Sequence, residues 1–251
     1  MLQSLKKLEG YTIRATDGDI GSIENFYFHD TDWHIRYIVV NTGTWLAGRR
    51  VLLSPSIAGM PDTATGVLPV SLTRQKVKDS PDIDSEKPVS RRMEEQLWQY
   101  YGWPAYWAPD ILIPGSEMAP PPPPAMATLA APEVSPPITE GELNLRSTHE
   151  VLGYHMQAID SELGHVEDFL GDENWVIRYM VVDTRNVLPG KKILVAPQWI
   201  DRIRWEDRKT YVNLDSNALK TSPEFDYDQP VTREYERILH EHYGRREYWR
   251  E

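Results

Sequence analysis

The chain has 251 residues, which is enough for two domains of ordinary size that each bury a core. It carries 27 basic and 38 acidic side chains, for a formal net charge of −11. A surface this acidic repels phosphate backbones unless its basic groups gather on one face, and the sequence offers only isolated basic pairs. These observations argue against a nucleic-acid partner.

Cysteine usage and the apolar runs narrow the class of protein further. The chain contains no cysteine, which excludes disulfides, thiolate nucleophiles and cysteine-based metal sites. The opening stretch, MLQSLKKLEG, has no apolar run of the length that a signal peptide needs, and no window approaches the roughly 20 apolar residues of a membrane span. We therefore expect a soluble cytoplasmic protein without stable membrane insertion.

The most informative feature is a long internal repeat. The stretch IRYIVVNT, which begins two residues after Trp33, returns as IRYMVVDT two residues after Trp175. The stretches GYTIRATDGDIGSIENF and GYHMQAIDSELGHVEDF also match, as do LAGRRVLLSP and LPGKKILVAP. Because each copy is long enough to be a complete unit, we predict a first domain at 1–110 and a second at 145–251.

The segment 111–144 between the two copies has a different composition, rich in proline, alanine and serine. Such a segment buries too little apolar surface to offset the entropy of ordering the chain, and its prolines favour an extended polyproline II geometry. We interpret it as a linker that holds the two domains apart. A proline-rich ligand for an SH3-like or WW-like domain is the alternative.

Within each copy, apolar residues alternate at period two between short turn signals, which is typical of small antiparallel sheets or barrels. The pattern predicts strands in the first copy near residues 10–16, 20–28, 33–42, 49–54 and 66–72. In the second copy it predicts strands near 153–159, 163–170, 174–183, 191–196, 198–206 and 210–214. Both faces of the third strand are largely apolar, so another element must cover its outer face.

A C-terminal helix in each copy is the predicted cover. Ser90 and Thr232 have side chains that cap a helix N-terminus, and acidic residues follow in the early turns. Gly102 and Gly244 then provide a glycine stop. The predicted fold class is therefore mostly β, with two small antiparallel barrels that are each followed by a C-terminal α-helix.

Three stretches of each copy resemble the PRC-barrel domain in their order and spacing: GYTIRATDGDIGSIENFYF, WHIRYIVVNTG and GRRVLLSP in the first, and GYHMQAIDSELGHVEDF, WVIRYMVVDTR and GKKILVAP in the second. The family is named after the cytoplasmic domain of the H subunit of purple-bacterial photosynthetic reaction centres. The resemblance implies a small six-stranded β-barrel that serves mostly as a docking or assembly module and not as an enzyme. The chain lacks the H subunit's transmembrane helix, so membrane anchoring is not carried over. Near the third strand, where the H subunit has carboxylates associated with proton delivery, this chain has Asn41 in one copy and Asp183 in the other, so no role in proton transfer is carried over.

The loop DGDIGSIE invites a calcium-site interpretation, because Asp17 and Asp19 occupy the first and third positions of an EF-hand-like pattern. The bidentate glutamate that should close such a loop is replaced by Phe28 in the first copy and by Gly171 in the second. We therefore favour a hairpin with acidic turn residues.

Two histidine patterns in the sequence resemble chemical sites. His165 and Glu167 share a strand face, which would suit an acid–base pair, but a solvated strand face explains the same spacing. His240 and His242 are two residues apart on a predicted helix, so they point to different sides and cannot chelate one ion.

Aromatic side chains supply the candidate partner contacts. Trp45 lies in a loop, and Trp103, Tyr106 and Trp107 follow the first C-terminal helix, where aromatic residues are common interface anchors. Packing of this tail back onto the barrel is the alternative. Four other aromatic residues lie on or beside apolar strands and are predicted to be core: Trp33, Tyr37, Trp175 and Tyr179.

No glycine-rich phosphate loop, nucleophile elbow or paired-carboxylate helix occurs, so we assign no catalytic, cofactor-binding or metal-binding residue. The leading hypothesis is a non-enzymatic protein-interaction or assembly module with tandem PRC-barrels and an unknown protein partner. A pseudo-dimer between the two barrels and a homo-oligomer both remain open. Two other functions stay as alternatives: an accessory to a reaction-centre-like electron or proton-transfer complex, and a small-molecule binder or enzyme at a cleft between barrel and helix.

Overall fold

The computed structural model describes residues 2–81, 89–103, 106, 144–184 and 191–250. The chain divides into two compact units. The first unit combines Met1–Ile83 with Asn144–Glu251 and contains the strands of both copies, and the second unit is Asp84–Leu143. The described residues are mostly β-structure, in two sheets with a few short helices.

The first copy contributes six strands and three helices before the linker: β1 (Gln3–Ser4), α1 (Leu5–Leu8), β2 (Thr12–Ala15), β3 (Gly18–His29), β4 (Ile35–Asn41), β5 (Arg50–Leu53), β6 (Val67–Pro69), α2 (Arg74–Lys78) and α3 (Arg91–Tyr101). A single 3-10 turn, Pro55–Ile57, follows β5.

The second copy repeats this order and adds one strand: β7 (Leu145–Ser147), α4 (Thr148–Val151), β8 (His155–Gln157), β9 (Glu162–Gly171), β10 (Ile177–Asp183), β11 (Lys192–Val195), β12 (Ile200–Arg204), β13 (Lys209–Val212), α5 (Ser216–Thr221) and α6 (Arg233–His242). The 3-10 turn here is Pro197–Trp199. All eleven predicted strands have an observed counterpart, with ends that differ by a few residues.

The strands form one sheet for each copy. The six-stranded sheet has the order β5-β4-β3-β2-β6, and the seven-stranded sheet has the order β11-β10-β9-β8-β13-β12. Neighbouring strands are antiparallel except for β2 with β6 and β8 with β13. Among the described residues neither strand order closes on itself, so the two closed barrels remain a prediction.

Each sheet is completed by a strand from the other copy. β1 of the first copy pairs with β9, and β7 of the second copy pairs with β3. The sequence interpretation of two self-contained units is therefore wrong in this respect. The two short strands carry too few residues for a periodic signal, which is why the sequence did not predict them.

The third predicted strand of each copy, observed as β4 and β10, is buried on both faces, as its apolar pattern predicted. Every residue of β10 except Arg178 is buried, and β4 is buried except at Arg36 and Asn41. In the second copy α6 covers this strand, since Tyr179 of β10 contacts Glu236 and His240 of the helix.

The C-terminal helices begin and end close to the predicted residues. The Ser90 side chain accepts a hydrogen bond from the N–H of Met93, and the Thr232 side chain accepts one from the N–H of Tyr235. Gly102 ends α3 in the left-handed conformation, with φ of 73°. In α3, which belongs to the second unit, Glu94 and Leu97 are buried.

Gly21 and Gly164 mark the tightest approach between strands in the two copies. A Cβ atom added to Gly21 would lie 2.1 Å from the carbonyl oxygen of Asn41, and one added to Gly164 would lie 2.0 Å from that of Asp183. These distances are far below a van der Waals contact and involve backbone atoms that cannot rotate away. Glycine is therefore required at this position, where β3 lies against β4 and β9 lies against β10.

We expect Gly21→Ala to lower the free energy of unfolding by about 3 kcal/mol or more, because the added methyl group forces the two backbones apart. The matched control is Gly66→Ala, since Gly66 has φ of 65° but no atom within 4 Å of an added Cβ. This control should cost about 1 kcal/mol from the left-handed conformation alone. Urea unfolding followed by circular dichroism measures both; equal losses would contradict the close-approach argument.

Candidate functional site

The two copies meet at the tryptophans that precede β4 in the first copy and β10 in the second. The N–H of Ile35 donates to the carbonyl oxygen of Trp175 at 2.8 Å, and the N–H of Ile177 donates to that of Trp33 at 2.9 Å. These reciprocal bonds relate the copies by an approximate two-fold axis. We call this junction, formed by residues 33–35 and 175–177, the seam.

Both seam tryptophans have an unusual backbone conformation. Trp33 and Trp175 each have φ of 60°, in the left-handed region that bulky side chains rarely adopt. Such a residue costs about 1–3 kcal/mol and persists only when its surroundings impose it. The same conformation occurs at the equivalent residue of both copies, where each tryptophan N–H also bonds within its own turn, to the carbonyl oxygen of His29 or Asp172.

Aromatic rings pack across the seam and provide that constraint. Phe28 stacks on Trp33 with ring centroids 5.1 Å apart and contacts Phe169 of the other copy at 5.8 Å. Phe26 contacts Trp175 of the other copy at 6.2 Å. The three phenylalanines are fully buried. The prediction that Trp33, Tyr37 and Tyr179 are core residues is confirmed, whereas Trp175 is only half-buried.

The exchanged strand β1 is held on the second sheet by a buried carboxylate. Asp168 accepts hydrogen bonds from the Ser4 hydroxyl at 2.5 Å and from the Lys6 N–H at 3.0 Å. It also accepts one from the N–H of Phe169 at 2.7 Å. Burial raises the pKa of Asp168, and these donors act in the opposite direction. These hydrogen bonds hold the N-terminal segment on the second sheet.

The reciprocal contact on the first sheet uses uncharged groups. Asn25 stands at the position of Asp168, and its Oδ1 has no hydrogen-bond partner among the described residues. The N–H of Phe26 instead donates to the hydroxyl of Thr148, at 3.3 Å. The two exchange contacts therefore have the same geometry but different chemistry.

A buried polar cluster lies between α6 and the second sheet. Glu236 accepts a hydrogen bond from the hydroxyl of Tyr248 at 2.7 Å, and the hydroxyl of Tyr179 lies 3.2 Å from it. Arg233 forms an ion pair with it at 3.0 Å. Burial raises the pKa of Tyr248 to about 12, with the hydrogen bond to Glu236 as the next cause, so this tyrosine stays a donor at neutral pH.

His240 completes this cluster. Its Nδ1 donates to the carbonyl oxygen of Arg246 at 2.9 Å, and its Nε2 lies 2.9 Å from the Tyr179 hydroxyl. The single hydroxyl proton of Tyr179 can serve His240 or Glu236 but not both. Burial lowers the pKa of His240, against the opposing pull of Glu236 and Glu247, and so favours the neutral ring that accepts from Tyr179.

Helix α3 of the second unit carries part of the same arrangement. Arg91 pairs with Glu94 at 3.0 Å, and the Tyr106 hydroxyl donates to Glu94 at 2.6 Å. These residues stand at the positions of Arg233, Glu236 and Tyr248 in the repeat. Trp98 replaces His240, so this helix has no titrating ring at that position.

The predicted partner-binding residues are placed as follows. Trp45 is half-buried in the first unit, with the Arg74 guanidinium 4.6 Å from its ring. In the second unit Trp103 stacks on Tyr101 at 4.2 Å, and Tyr106 bonds to Glu94. Trp107 lies outside the described residues. Their role in partner binding stays a prediction, and each of the three described aromatics has an internal contact.

The acidic loop that suggested a calcium site instead forms hydrogen bonds with the start of a short helix. Asp17 accepts a hydrogen bond from the N–H of Arg74 at 2.7 Å, at the start of α2. In the second copy Asp160 accepts from the N–H and hydroxyl of Ser216, which lower its pKa. These contacts agree with the hairpin interpretation, in which the carboxylates are turn and cap residues.

The histidine patterns are also accounted for by local contacts. Glu167 pairs with Lys192 at 2.8 Å, as Glu24 pairs with Arg50 in the first copy. His242 contacts the carbonyl oxygen of Ala218. Within the described part of the chain, no three His, Asp or Glu side chains are arranged to hold a metal ion.

Two grooves flank the seam at corresponding positions of the repeat. The charged groove, of about 530 Å³, is lined by residues that include Asp30, Asp32, Arg178, Asp201 and Arg202. The apolar groove, of about 180 Å³, is lined by residues that include Leu5, Leu8, Met60, Pro61 and Trp175. No local sequence pattern predicts either groove, because each is formed by residues from both copies.

Comparisons with models of protein families and with curated proteins found no match to this chain. In the described residues, no helix combines the length and the apolar character needed to cross a bilayer.

We expect acid to destabilise the protein partly through His240. The pKa of this ring lies below the value near 6.5 of an unfolded histidine, so between the two values the unfolded chain binds more protons. The free energy of unfolding should therefore fall as pH falls through this range, and His240→Gln should show a shallower fall. Urea titrations from about pH 8 to about pH 5 measure the slope.

The matched control for this experiment is His242→Gln, because His242 is exposed on the same helix. Its pH dependence should follow that of the parent chain. A His240→Gln slope equal to or steeper than the parent slope would contradict the assignment of a neutral, buried ring.

Proposed function

We propose that the chain is a non-enzymatic protein-interaction module in which two PRC-barrel-type copies form one self-paired platform. The observation that supports this proposal best is the reciprocal exchange of β1 and β7 between the sheets. The exchange fixes the relation of the two copies, so a partner meets two related surfaces at a constant spacing. A fixed spacing lets two weak contacts act together through effective concentration.

The polar clusters support a structural role more than a chemical one. The Asp168 carboxylate is occupied by Ser4 and by two backbone N–H groups. The Glu236 carboxylate is occupied by the Tyr248 hydroxyl and by Arg233. A general acid or base needs an open position for substrate within hydrogen-bond reach, and these carboxylates are instead surrounded by their own partners.

The interface between α6 and the second sheet is filled by its own side chains. Trp199 and His240 have ring centroids 5.1 Å apart, and Trp199 contacts Tyr243 at 4.8 Å. A ligand site at this barrel–helix cleft would require these buried rings to move. This packing favours the interaction-module proposal over the small-molecule alternative. The resemblance to the PRC-barrel domain, which is used mostly in docking and assembly, supports the same proposal.

The test is quantitative affinity purification with the tagged full chain from cells that express it naturally. We expect at least one protein to be enriched by the parent chain and to be reduced with Trp45→Ala, Trp103→Ala bait, because both tryptophans are half-exposed aromatic candidates for partner contact. Thermal unfolding of both baits must first show that the variant remains folded.

The matched control bait carries Ile159→Ala, which removes an apolar side chain that is 69% exposed and was not a predicted contact. Enrichment should be unchanged with this bait. If no protein is enriched by the parent chain, the proposal fails. Recovery of a membrane quinone complex as the enriched partner would instead support the accessory to electron or proton transfer.

A further inference from the structure

The exchange sites on the two sheets differ in shape at one pair of positions. In the second sheet Gly171 pairs with Gln3, and in the first sheet Phe28 pairs with Arg146. Both sheet positions also pair with the first residue of the third strand, so they are structurally equivalent. One site therefore has no side chain where the other has a buried phenyl ring.

Residues 2–9 dock on the second sheet and residues 145–152 dock on the first; we call them the docked segments. Their side chains differ in size in the way that fits these two sites. Leu5 follows Gln3 by two residues and lies over Gly171, since a Cβ added there would be 3.4 Å from the Leu5 Cδ2. Thr148 follows Arg146 by the same interval. The larger docked residue thus serves the site with glycine, and the smaller one serves the site with phenylalanine. Both docked residues are buried, at 2% exposure each.

The hydrogen bonds at the two sites also fit leucine on the second sheet and threonine on the first. In the second sheet the N–H of Phe169 bonds to Asp168, so the docked segment need not supply an acceptor and Leu5 is tolerated. In the first sheet the equivalent N–H, of Phe26, bonds to the Thr148 hydroxyl. Leucine at that place would leave a buried N–H unpaired, which is costly.

A glycine separates each docked segment from the rest of its own copy. Gly10 and Gly153 have φ of 83° and 80°, and nothing lies within 4 Å of an added Cβ at either. Their N–H groups bond to Ile23 and Val166 of their own copies. The chain can therefore turn from one copy to the other at Gly10 and at Gly153 with little steric restriction, which suits an exchange of the segment between molecules.

We propose that the exchange also forms between two molecules of this chain, and that the segment 2–9 then docks only on the second-copy sheet of its partner. Leu5 opposite Gly171 and Thr148 opposite Phe28 exclude the reverse pairing, which would crowd leucine against phenylalanine at one site and leave a void at the other. The partner is a second copy of the chain, and reciprocal exchange of the segment gives a dimer with two-fold symmetry. This inference concerns the exchange itself and stands whether or not an outside partner exists.

The absence of cysteine from the chain makes the test direct. One full-length variant carries Ser4→Cys and a second carries Leu170→Cys, two residues that face each other across β1 and β9. The variants are mixed, unfolded in urea, refolded together at low and at high concentration, and exposed to a thiol oxidant, which joins facing cysteines as a disulfide. We expect a cross-linked species of two chains whose fraction rises with concentration.

The specificity control pairs the Ser4→Cys variant with a Tyr27→Cys variant. Tyr27 is the equivalent position on the first sheet, where it faces Ser147. Cross-linking of this mixture should be weaker by about tenfold or more, whereas Ser147→Cys with Tyr27→Cys should cross-link well. Equal yields from the Ser4→Cys mixtures with Leu170→Cys and Tyr27→Cys would overturn the assignment of segment to sheet.

A chain that carries both Ser4→Cys and Leu170→Cys serves as the folding control and should cross-link within itself at low concentration. If it does so while the mixed single variants give no two-chain species at any concentration, exchange between molecules is excluded. If the double variant refolds to the parent circular dichroism spectrum but does not cross-link, the exchange contact itself is wrong. Light scattering of the parent chain after refolding at high concentration should independently show the mass of two chains.

Discussion

The arrangement of the two copies depends on the seam, where backbone hydrogen bonds join each tryptophan carbonyl to the third strand of the other copy. Ile35 and Ile177 donate these bonds, at 2.8 and 2.9 Å. Trp33 and Trp175 lie in the left-handed conformation at this junction, and the buried phenylalanines around them supply packing that offsets the strain. Once the seam is formed, the N-terminal strand of each copy lies beside the sheet of the other, and the exchange of β1 and β7 follows.

The two copies differ at several positions where they touch each other and at one position of their C-terminal helices. Asp168 replaces Asn25 and Gly171 replaces Phe28 at the exchange sites, and His240 replaces Trp98 on the helix. In a dimer of identical chains each of these positions would have to satisfy both partners at once. Joining the copies in one chain removes that requirement, so one exchange contact can use a carboxyl group and fit leucine while the other uses an amide and fits threonine.

Much of the fold could be predicted from particular residues. The alternating apolar pattern predicted every strand long enough to show a period, and Ser90, Thr232 and Gly102 marked helix ends correctly. The candidate site was harder to predict. The position of Trp45, Trp103 and Tyr106 outside strands and helices predicts partner contacts, yet each has a contact within the chain. Asp168 and Glu236 carried no signal, because a buried carboxylate and a solvent-facing one look the same in a strand or helix pattern.

The amino-acid sequence alone determined that the chain contains two copies of one mostly β unit, where their principal strands lie, and which residues begin and end the long helices. These features are local, since they follow from side-chain period, cap chemistry and glycine positions within a few residues. Only the tertiary structure decided that each copy completes the other's sheet. That outcome depends on contacts such as Ser4 with Asp168 and Leu5 with Gly171, which lie more than 160 positions apart, and no local pattern specifies which distant surface a short segment will join.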